Sequence, residues 1–404
     1  MAFVNCGSEE YTKAELDLFQ IAPTQTSIEK SIYIEVPPLS AITESAPIDF
    51  FIAGNGIDYM DLNNTLLYLC CKIVKGDRTD LAVNAEMGLV NYPVTSIFGQ
   101  LDVTLGDRLI SQSNNCYPYR AFIELVLNYS DDTLATQFSA GLFYKDTAVQ
   151  HEETELDGGN LGAAEGFKLR IVSASLFVKK VQVAPRVGLG HAKALLTANA
   201  KYPVDRVGMK VFSIPTGSRV SNQENLFLGQ LPKMLVLGFV ETMPLAEVML
   251  KNPFHFKHYN INFVALYVDG EQIPTKPLQP DFEAGRCVRE YMNLVQTAGK
   301  HMKDCSLLID REEFAQGYTL FAFDLSPDQE CADHYSLIKT GNLRAEIRFG
   351  KALTVTVNMI VYGVFDNVIE INQRRNVLFD YMLTWTLCSS HVSYQRTLTR
   401  KRIS

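Results

Sequence analysis

The sequence predicts an all-β fold of two similar antiparallel sandwiches in tandem, each with a short helix. Three observations support this prediction. The 404 residues exceed what one ordinary core needs, so the length indicates more than one domain. Aromatic and β-branched residues recur in short runs separated by Gly, Pro, Asn and Asp, which favours strands over helices. Similar segments also recur in the same order in both halves of the chain.

The internal repeat consists of four pairs of segments. The pairs are 66–74 with 232–240, 103–110 with 266–273, 120–126 with 289–295, and 138–143 with 314–321. The partners are separated by roughly 170 residues, whereas solenoids and propellers repeat every 20–50 residues or so. The repeated unit is therefore predicted to be a whole domain with its own core.

Two of the paired segments are predicted β-hairpins. In the first, an alternating apolar run at 101–105 turns at Gly106-Asp107. In the second, an apolar run turns at Asp269-Gly270, a dipeptide preferred in two-residue hairpin turns.

Further strands are predicted from alternation or from β-branched runs, at 31–36, 168–183, 206–214, 343–349 and 354–365. Apolar residues at 119–129 and 287–299 lie nearer helical spacing, which predicts one helix beside each sandwich. Sandwiches of this length with long connections are typical of jelly rolls, so the predicted architecture is a double jelly roll.

The predicted elements imply four regions, separated where the sequence becomes polar. These are an N-terminal arm at 1–28, a first jelly roll at 29–220, a second jelly roll at 221–380 and a basic C-terminal tail at 381–404.

Composition and charge narrow the possible functions. Apolar residues make up 47% of the chain and charged residues 20%, an ordinary balance for a soluble globular protein. The net charge of −8 argues against a surface that coats itself in nucleic acid. No apolar run reaches the roughly 18 residues that span a bilayer, so we expect no transmembrane segment.

The eight cysteines form no C-x-x-C pair. The first residues also lack the pattern of a secretory signal peptide. We therefore expect reduced thiols in the protein core rather than disulfides, including Cys70 and Cys71 within an apolar run.

Familiar catalytic and metal-binding patterns are not found. The segment GLGHAK at 188–193 lacks the spacing of a P-loop and follows a Pro-Arg turn rather than a strand. His255 and His258 have no third ligand cluster nearby, so solvated or packed histidines are expected. The acidic segment 151–166 lacks EF-hand spacing and is expected to be a solvated loop. We therefore expect no enzyme, no catalytic residue, no cofactor and no metal site.

The basic tail is the candidate contact site. Its basic residues are Arg396, Arg400, Lys401 and Arg402, on an otherwise acidic chain. Such a cluster is able to touch the phosphates of nucleic acid or to serve as a nuclear targeting signal. The alternative interpretation is a solvated, frayed terminus.

Several long stretches resemble a family of capsid-like proteins that occur widely in animal genomes and are associated with Maverick/Polinton elements and adintovirus-like viruses. They include YMDLNNTLLYLCCKIV (59–74), GLVNYPVTSIFGQLDVTLGDRLIS (88–111), HAKALLTANAKYPVDRVGMKVFSIPTG (191–217), KNPFHFKHYNINFVALYVDGEQIPTKPLQPDF (251–282) and FDNVIEINQRRNVLFDY (365–381). The resemblance covers roughly residues 30–381. The basic tail departs from this resemblance, and so does the loop at 151–166. No family role is therefore assigned to either segment.

The resemblance implies a major capsid protein with a double jelly roll, like adenovirus hexon in plan. It implies a homotrimer that forms a pseudo-hexameric capsomer of an icosahedral shell, with neighbouring capsomers and a penton or minor capsid protein as partners. The implied location is the virion capsid, assembled inside the host cell, with the nucleus as one candidate compartment. The family has no catalytic residues to transfer.

Two other classes of function stay open at this point. Jelly rolls also serve as lectin-like binding modules, so a domesticated binding protein is the alternative, because fold alone does not choose between the two uses. A jelly-roll enzyme is the third hypothesis, although the seven histidines do not gather as a metal-binding cupin requires. Within the capsid class, penton proteins usually carry one jelly roll, whereas this chain predicts two.

Overall fold

The computed structural model describes residues 24–43, 46–81, 91–148, 167–242, 252–329 and 334–378. The strands are β1 (Ile28–Val36), β2 (Tyr59–Lys75), β3 (Val103–Leu105), β4 (Arg108–Ser111), β5 (Phe167–Val183), β6 (Ala200–Ile214), β7 (Val220–Gln223), β8 (Met234–Glu241), β9 (Ile261–Val268), β10 (Glu271–Leu278), β11 (Leu320–Asp324), β12 (Leu343–Phe349), β13 (Val357–Ile371) and β14 (Val377–Leu378). The α-helices are α1 (Pro93–Ser96), α2 (Tyr117–Asn128), α3 (Asp131–Thr136), α4 (Pro185–Ala194), α5 (Val288–Thr297) and α6 (Arg311–Ala315). None of the described helices is long and apolar enough to cross a membrane.

The chain forms two compact units. Unit one contains the described residues of Met1–Lys72 together with Leu169–Thr197, and unit two contains those of Ile73–Lys168 together with Ala198–Ser404. The predicted jelly-roll boundaries at 29–220 and 221–380 stay a prediction.

Unit one is built on a three-stranded sheet in the order β1-β5-β2. β1 and β5 are antiparallel, with Tyr33 opposite Lys179. Lys179 Nζ of β5 also lies 3.1 Å from Asp61 Oδ2 of β2. This ion pair joins the middle strand, β5, to the outer strand, β2. Helix α4 follows β5 directly, with Pro185 at its start, where a proline costs the helix no hydrogen bond.

Unit two contains two larger sheets. In the central sheet, β13 lies between β8 and β6, and β11 pairs with the far side of β8. β6 pairs with β13 along its whole length, from Ile214 opposite Val357 to Ala200 opposite Ile371. The outer sheet has the order β10-β9-β12-β7.

Both faces of the central sheet are buried at β8 and β13. On β8, Leu235, Leu237 and Phe239 belong to the core between the two sheets. The alternate residues Val236 and Val240 belong to a second core, on the other face, together with residues from α2 and α5. Because successive side chains of a strand point to opposite faces, a strand covered on both sides is apolar at every position.

The second core is built on stacked aromatic rings. The ring of Phe122 from α2 lies 4.5 Å from that of Phe254, with the two planes within 3° of parallel. Phe256 and Tyr318 stack on the same ring at 6.0 Å and 6.4 Å between centroids. Offset stacking at these distances adds to the free energy of burial, so the rings fix α2 on the central sheet.

The predicted strands and hairpins are confirmed. β12 covers the predicted 343–349, and its burial alternates as a sheet with one face in water requires. Asp269 and Gly270 adopt φ angles of 51° and 92°, the left-handed pair that a tight two-residue hairpin needs. The turn at Gly106, with φ 60°, is likewise confirmed.

The two predicted helices are confirmed as α2 and α5, but their predicted alignment is not. Each helix begins after a cysteine, Cys116 or Cys287, with similar backbone angles. Counted from these cysteines, Arg120 is the fourth residue and Arg289 the second, so pairing the two arginines shifts the helices by two positions. Both arginines nevertheless reach the second strand of the preceding hairpin. Arg120 donates to Ser111 of β4, and Arg289 donates to backbone carbonyls of β10.

Gly238 of β8 is required by the aromatic core. A Cβ atom added there would lie 2.6 Å from Cδ1 of the Phe256 ring, which is too close for two carbon atoms. We expect Gly238→Ala to lower the free energy of unfolding by about 1–3 kcal/mol, because the ring is itself packed and has little room to move. Urea unfolding followed by circular dichroism measures this change.

Gly99→Ala is the matched control. A Cβ atom at Gly99 meets nothing within 4 Å, so the expected change in stability is within about 0.5 kcal/mol. Equal effects of the two substitutions would show that the contact with Phe256 does not limit residue 238.

Candidate functional site

The predicted contact residues of the tail lie outside the described residues. These are Arg396, Arg400, Lys401 and Arg402, and the acidic loop at 151–166 lies outside them as well. Their roles therefore stay predictions.

His258 of the histidine pair belongs to packed structure. The imidazole of His258 stacks on the ring of Phe282, with 4.3 Å between the ring centroids. Its Nδ1 accepts a hydrogen bond of 3.0 Å from the backbone N–H of Asn260. Burial lowers the pKa of His258, which favours the neutral ring. Within the described ranges, no group of three or more His, Cys, Asp or Glu residues is placed to hold a metal ion.

The segment GLGHAK at 188–193 lies inside helix α4. This helix begins two residues after the end of β5, so the expectation that the segment follows a turn rather than a strand is wrong. The reason is that Pro185 starts the helix instead of making a turn, and glycine at 188 and 190 does not prevent it. The imidazole Nδ1 of His191 lies 2.7 Å from the hydroxyl of Tyr59 in β2, which places this histidine against its own sheet.

A small concavity lies beside Lys233 in unit two. Its volume is about 30 Å³, enough for water but far below the space that a small-molecule ligand needs. Lys233 Nζ forms ion pairs with Asp205 and Asp366 at 2.7 Å and 2.8 Å, so one cation is shared between two carboxylates.

Asp146 is a titratable group that the sequence does not reveal. Its carboxylate accepts a hydrogen bond of 2.9 Å from the side chain of Asn252, whose Oδ1 in turn accepts from the backbone N–H of Phe254. Asn91 lies beside it and pairs with the backbone of Tyr144. Burial raises the pKa of Asp146 to about 6, and the hydrogen bonds from Asn252 and Asn91 lower it only in part.

The charges nearest to Asp146 belong to a separate network. The neighbouring Lys145 forms ion pairs with Glu313 at 2.9 Å and Asp131 at 3.2 Å. The hydroxyl of Tyr318 points toward the backbone carbonyl of Asp146, at 3.5 Å. Burial is the largest influence on the pKa of Asp146 and raises it.

The surface of unit one differs from the cores of unit two. Several large apolar side chains of its sheet stay exposed, namely Ile28, Ile32, Tyr33, Tyr59, Met60, Leu62, Leu66, Leu67, Tyr68 and Val172. Cys70 and Cys71 of β2 are exposed free thiols, so the expectation that these two lie in the core is wrong. The apolar run predicts the strand correctly, but it does not predict whether the side chains of that strand are buried by other parts of the protein.

The pKa of Asp146 leads to a prediction for Asp146→Asn. The folded-state pKa of about 6 lies above the unperturbed 3.8, so the carboxyl favours the folded state most at low pH, and this contribution is lost as the pH rises through 6. The asparagine stays neutral and keeps an oxygen for Asn252. We therefore expect the variant to be more stable than wild type at pH 7.5, with a difference that narrows by about 1 kcal/mol at pH 5.

Urea unfolding of both proteins at the two pH values provides the measurement. Asp304→Asn removes an exposed carboxylate and serves as the control for the loss of one negative charge. Parallel pH dependence of wild type and Asp146→Asn would contradict the proposed burial of the charge.

Comparison with known proteins gives matches that cover most of the chain. No protein-family model matches the sequence. The uncharacterized protein F54H12.2 of Caenorhabditis elegans is 23% identical over 415 residues, which cover 88% of this chain and 99% of that protein.

Solved virus structures share the fold. A chain of the Sputnik virophage, determined by cryo-EM, superposes with a TM-score of 0.64 at 11% identity, covering 97% of this chain and 98% of that one. The capsid of the virus PBCV-1 gives a TM-score of 0.55 at 10% identity, covering 89% and 99%. The Faustovirus major capsid protein gives 0.51 at 8% identity, covering 88% and 93%. This chain therefore has the double jelly-roll fold, as its sequence predicted.

Proposed function

We propose that this chain is a major capsid protein whose trimers form the pseudo-hexameric capsomers of an icosahedral viral or virus-like shell. The observation that carries the proposal is the likeness to a Sputnik virophage chain, which extends over nearly the whole of both chains. A likeness of that extent includes both predicted sandwiches, as the proposal requires.

The duplicated architecture supports the proposal on physical grounds. A trimer of chains with two similar sandwiches presents six similar walls while requiring only threefold symmetry. Such a particle packs hexagonally with its neighbours, and neighbouring capsomers and a penton or minor capsid protein are its proposed partners. The role is structural rather than enzymatic, and the proposed location is the virion capsid, assembled inside the host cell.

The proposed lineage is that of Maverick/Polinton elements and adintovirus-like viruses. The long stretches that resemble this family support it, and the Caenorhabditis elegans relative shows that similar chains are encoded by an animal. Whether the gene is viral or captured by a host does not alter the predicted assembly.

The trimer is tested by the mass of the purified protein in solution. We expect light scattering to give three times the chain mass of 45.3 kDa, and negative-stain images of the same fraction to show a hexagonal outline or closed shells. A monomer without such particles would contradict the proposal and would favour the lectin-like binding module, which a glycan screen then tests.

The basic tail is proposed to contact nucleic acid weakly. If it does, replacing Arg396, Arg400, Lys401 and Arg402 by glutamine removes up to four phosphate contacts. We then expect weaker binding to double-stranded DNA and a dependence of log K on log salt concentration that is less steep by up to about 3–4.

Fluorescence anisotropy across a salt series measures both quantities. Replacing Lys72, Lys75, Lys168 and Lys303 in the same way is the charge-matched comparison, because these four lysines lie outside the tail. Equal loss in the two variants would show that general charge, and not the tail, governs the binding.

A further inference from the structure

One side of β2 carries a line of exposed apolar residues. Met60, Leu62, Leu66 and Tyr68 are 36%, 54%, 60% and 61% exposed. Because alternate residues of a strand point to the same side, these four side chains lie in a row along unit one. We call this row the β2 stripe.

The β2 stripe is free of charge. Asn64 lies within it and Cys70 continues it, so no charged residue interrupts this side of the strand from 60 to 70. The opposite side carries Asp61, which is paired with Lys179, together with the exposed Tyr59 and Leu67. Depletion of charge together with aromatic residues and methionine distinguishes the centre of a protein interface from ordinary surface.

The size of the β2 stripe also fits an interface. Four large side chains that are about half exposed present on the order of 400 Å² of apolar surface, which is the size of the largest patch on a typical monomer. A standard interface takes about 800 Å² from each partner, with a polar rim around an apolar centre. The stripe therefore supplies the centre of such an interface.

In addition to its apolar side, β2 is an edge strand of its sheet. In the part of the chain that the structure describes, the order β1-β5-β2 places β2 at the end of the sheet, with β5 as its partner. A strand of 17 residues that is both apolar and at an edge favours association unless something covers it.

We propose that a second copy of this chain packs on the β2 stripe. The inference rests on the proposed capsid function, which requires contact between copies. Each copy carries a net charge of −8, and a contact through an uncharged surface brings no further like charges together. In a threefold ring each contact joins two different surfaces, so the stripe of one copy meets another surface of the next copy.

The test compares two leucines that are exposed equally. Leu66 of the stripe and Leu189 of α4 both lie in unit one, and each is 60% exposed. Since Leu66 is exposed in the single chain, Leu66→Glu is expected to preserve the fold. Light scattering should then give one chain mass for Leu66→Glu and three chain masses for wild type and for Leu189→Glu.

The outcomes separate the two proposals. A wild-type monomer overturns the proposed function. A wild-type trimer together with a trimeric Leu66→Glu variant leaves the capsid function standing and overturns the β2 stripe as the contact. Loss of the trimer in both variants also overturns it, because the effect would then not be specific to the stripe.

Cys70 provides a second measurement that does not require a folded Leu66→Glu variant. In a Cys71→Ser protein, Cys70 is the thiol that continues the stripe, and Cys305 is an exposed thiol of unit two. Peptide mapping after maleimide treatment of the trimer should show Cys70 reacting at least about tenfold more slowly than Cys305.

Equal labelling of the two thiols in the trimer overturns the contact. Protection of Cys70 in a monomer overturns it too, because a segment of the same chain would then cover the stripe.

Discussion

The burial of both faces of the central sheet is the constraint on which unit two depends. β8 and β13 send alternate side chains into two different cores, one against the outer sheet and one against α2 and α5. No position on the middle of these strands faces water, so none of them tolerates a charge without the cost of burying it. Gly238 belongs to the same constraint, because the ring of Phe256 occupies the space of a side chain.

Unit one shows the opposite condition. Its sheet carries apolar residues at many positions, but its large side chains at β1 and β2 stay exposed in a single chain. The strands of the two units are therefore similar in composition, but they differ in whether other parts of the chain cover their apolar side chains. In unit two, other segments of the same chain cover the apolar side chains. In unit one, the exposed apolar surface is suited to contact with another molecule. A shell protein needs both conditions, a rigid body and a surface that is completed by assembly.

The sequence predicts those parts of the fold that local signals determine. The turn at Asp269-Gly270, the alternation of β12 and the helical spacing of α2 each depend on neighbouring residues, and each is confirmed. Features that depend on distant residues were missed. The environment of Asp146 requires Asn252, more than a hundred residues away, and the exposure of Cys70 depends on what covers β2. The candidate residues of the tail lie beyond the described chain, so their role rests on sequence alone.

The order of the segments of unit two affects how this protein is made. Its aromatic core joins Phe122 of α2 to Tyr362 of β13, and the chain between them first passes through β5 and α4 of unit one. Contacts so far apart in sequence form slowly, and a nascent chain emerging from the ribosome cannot form them until β13 has been synthesised. A chain that stops before residue 357 lacks the middle strand of the central sheet. Synthesis of β13 is therefore required before the central sheet of unit two can form, because this strand lies between β8 and β6.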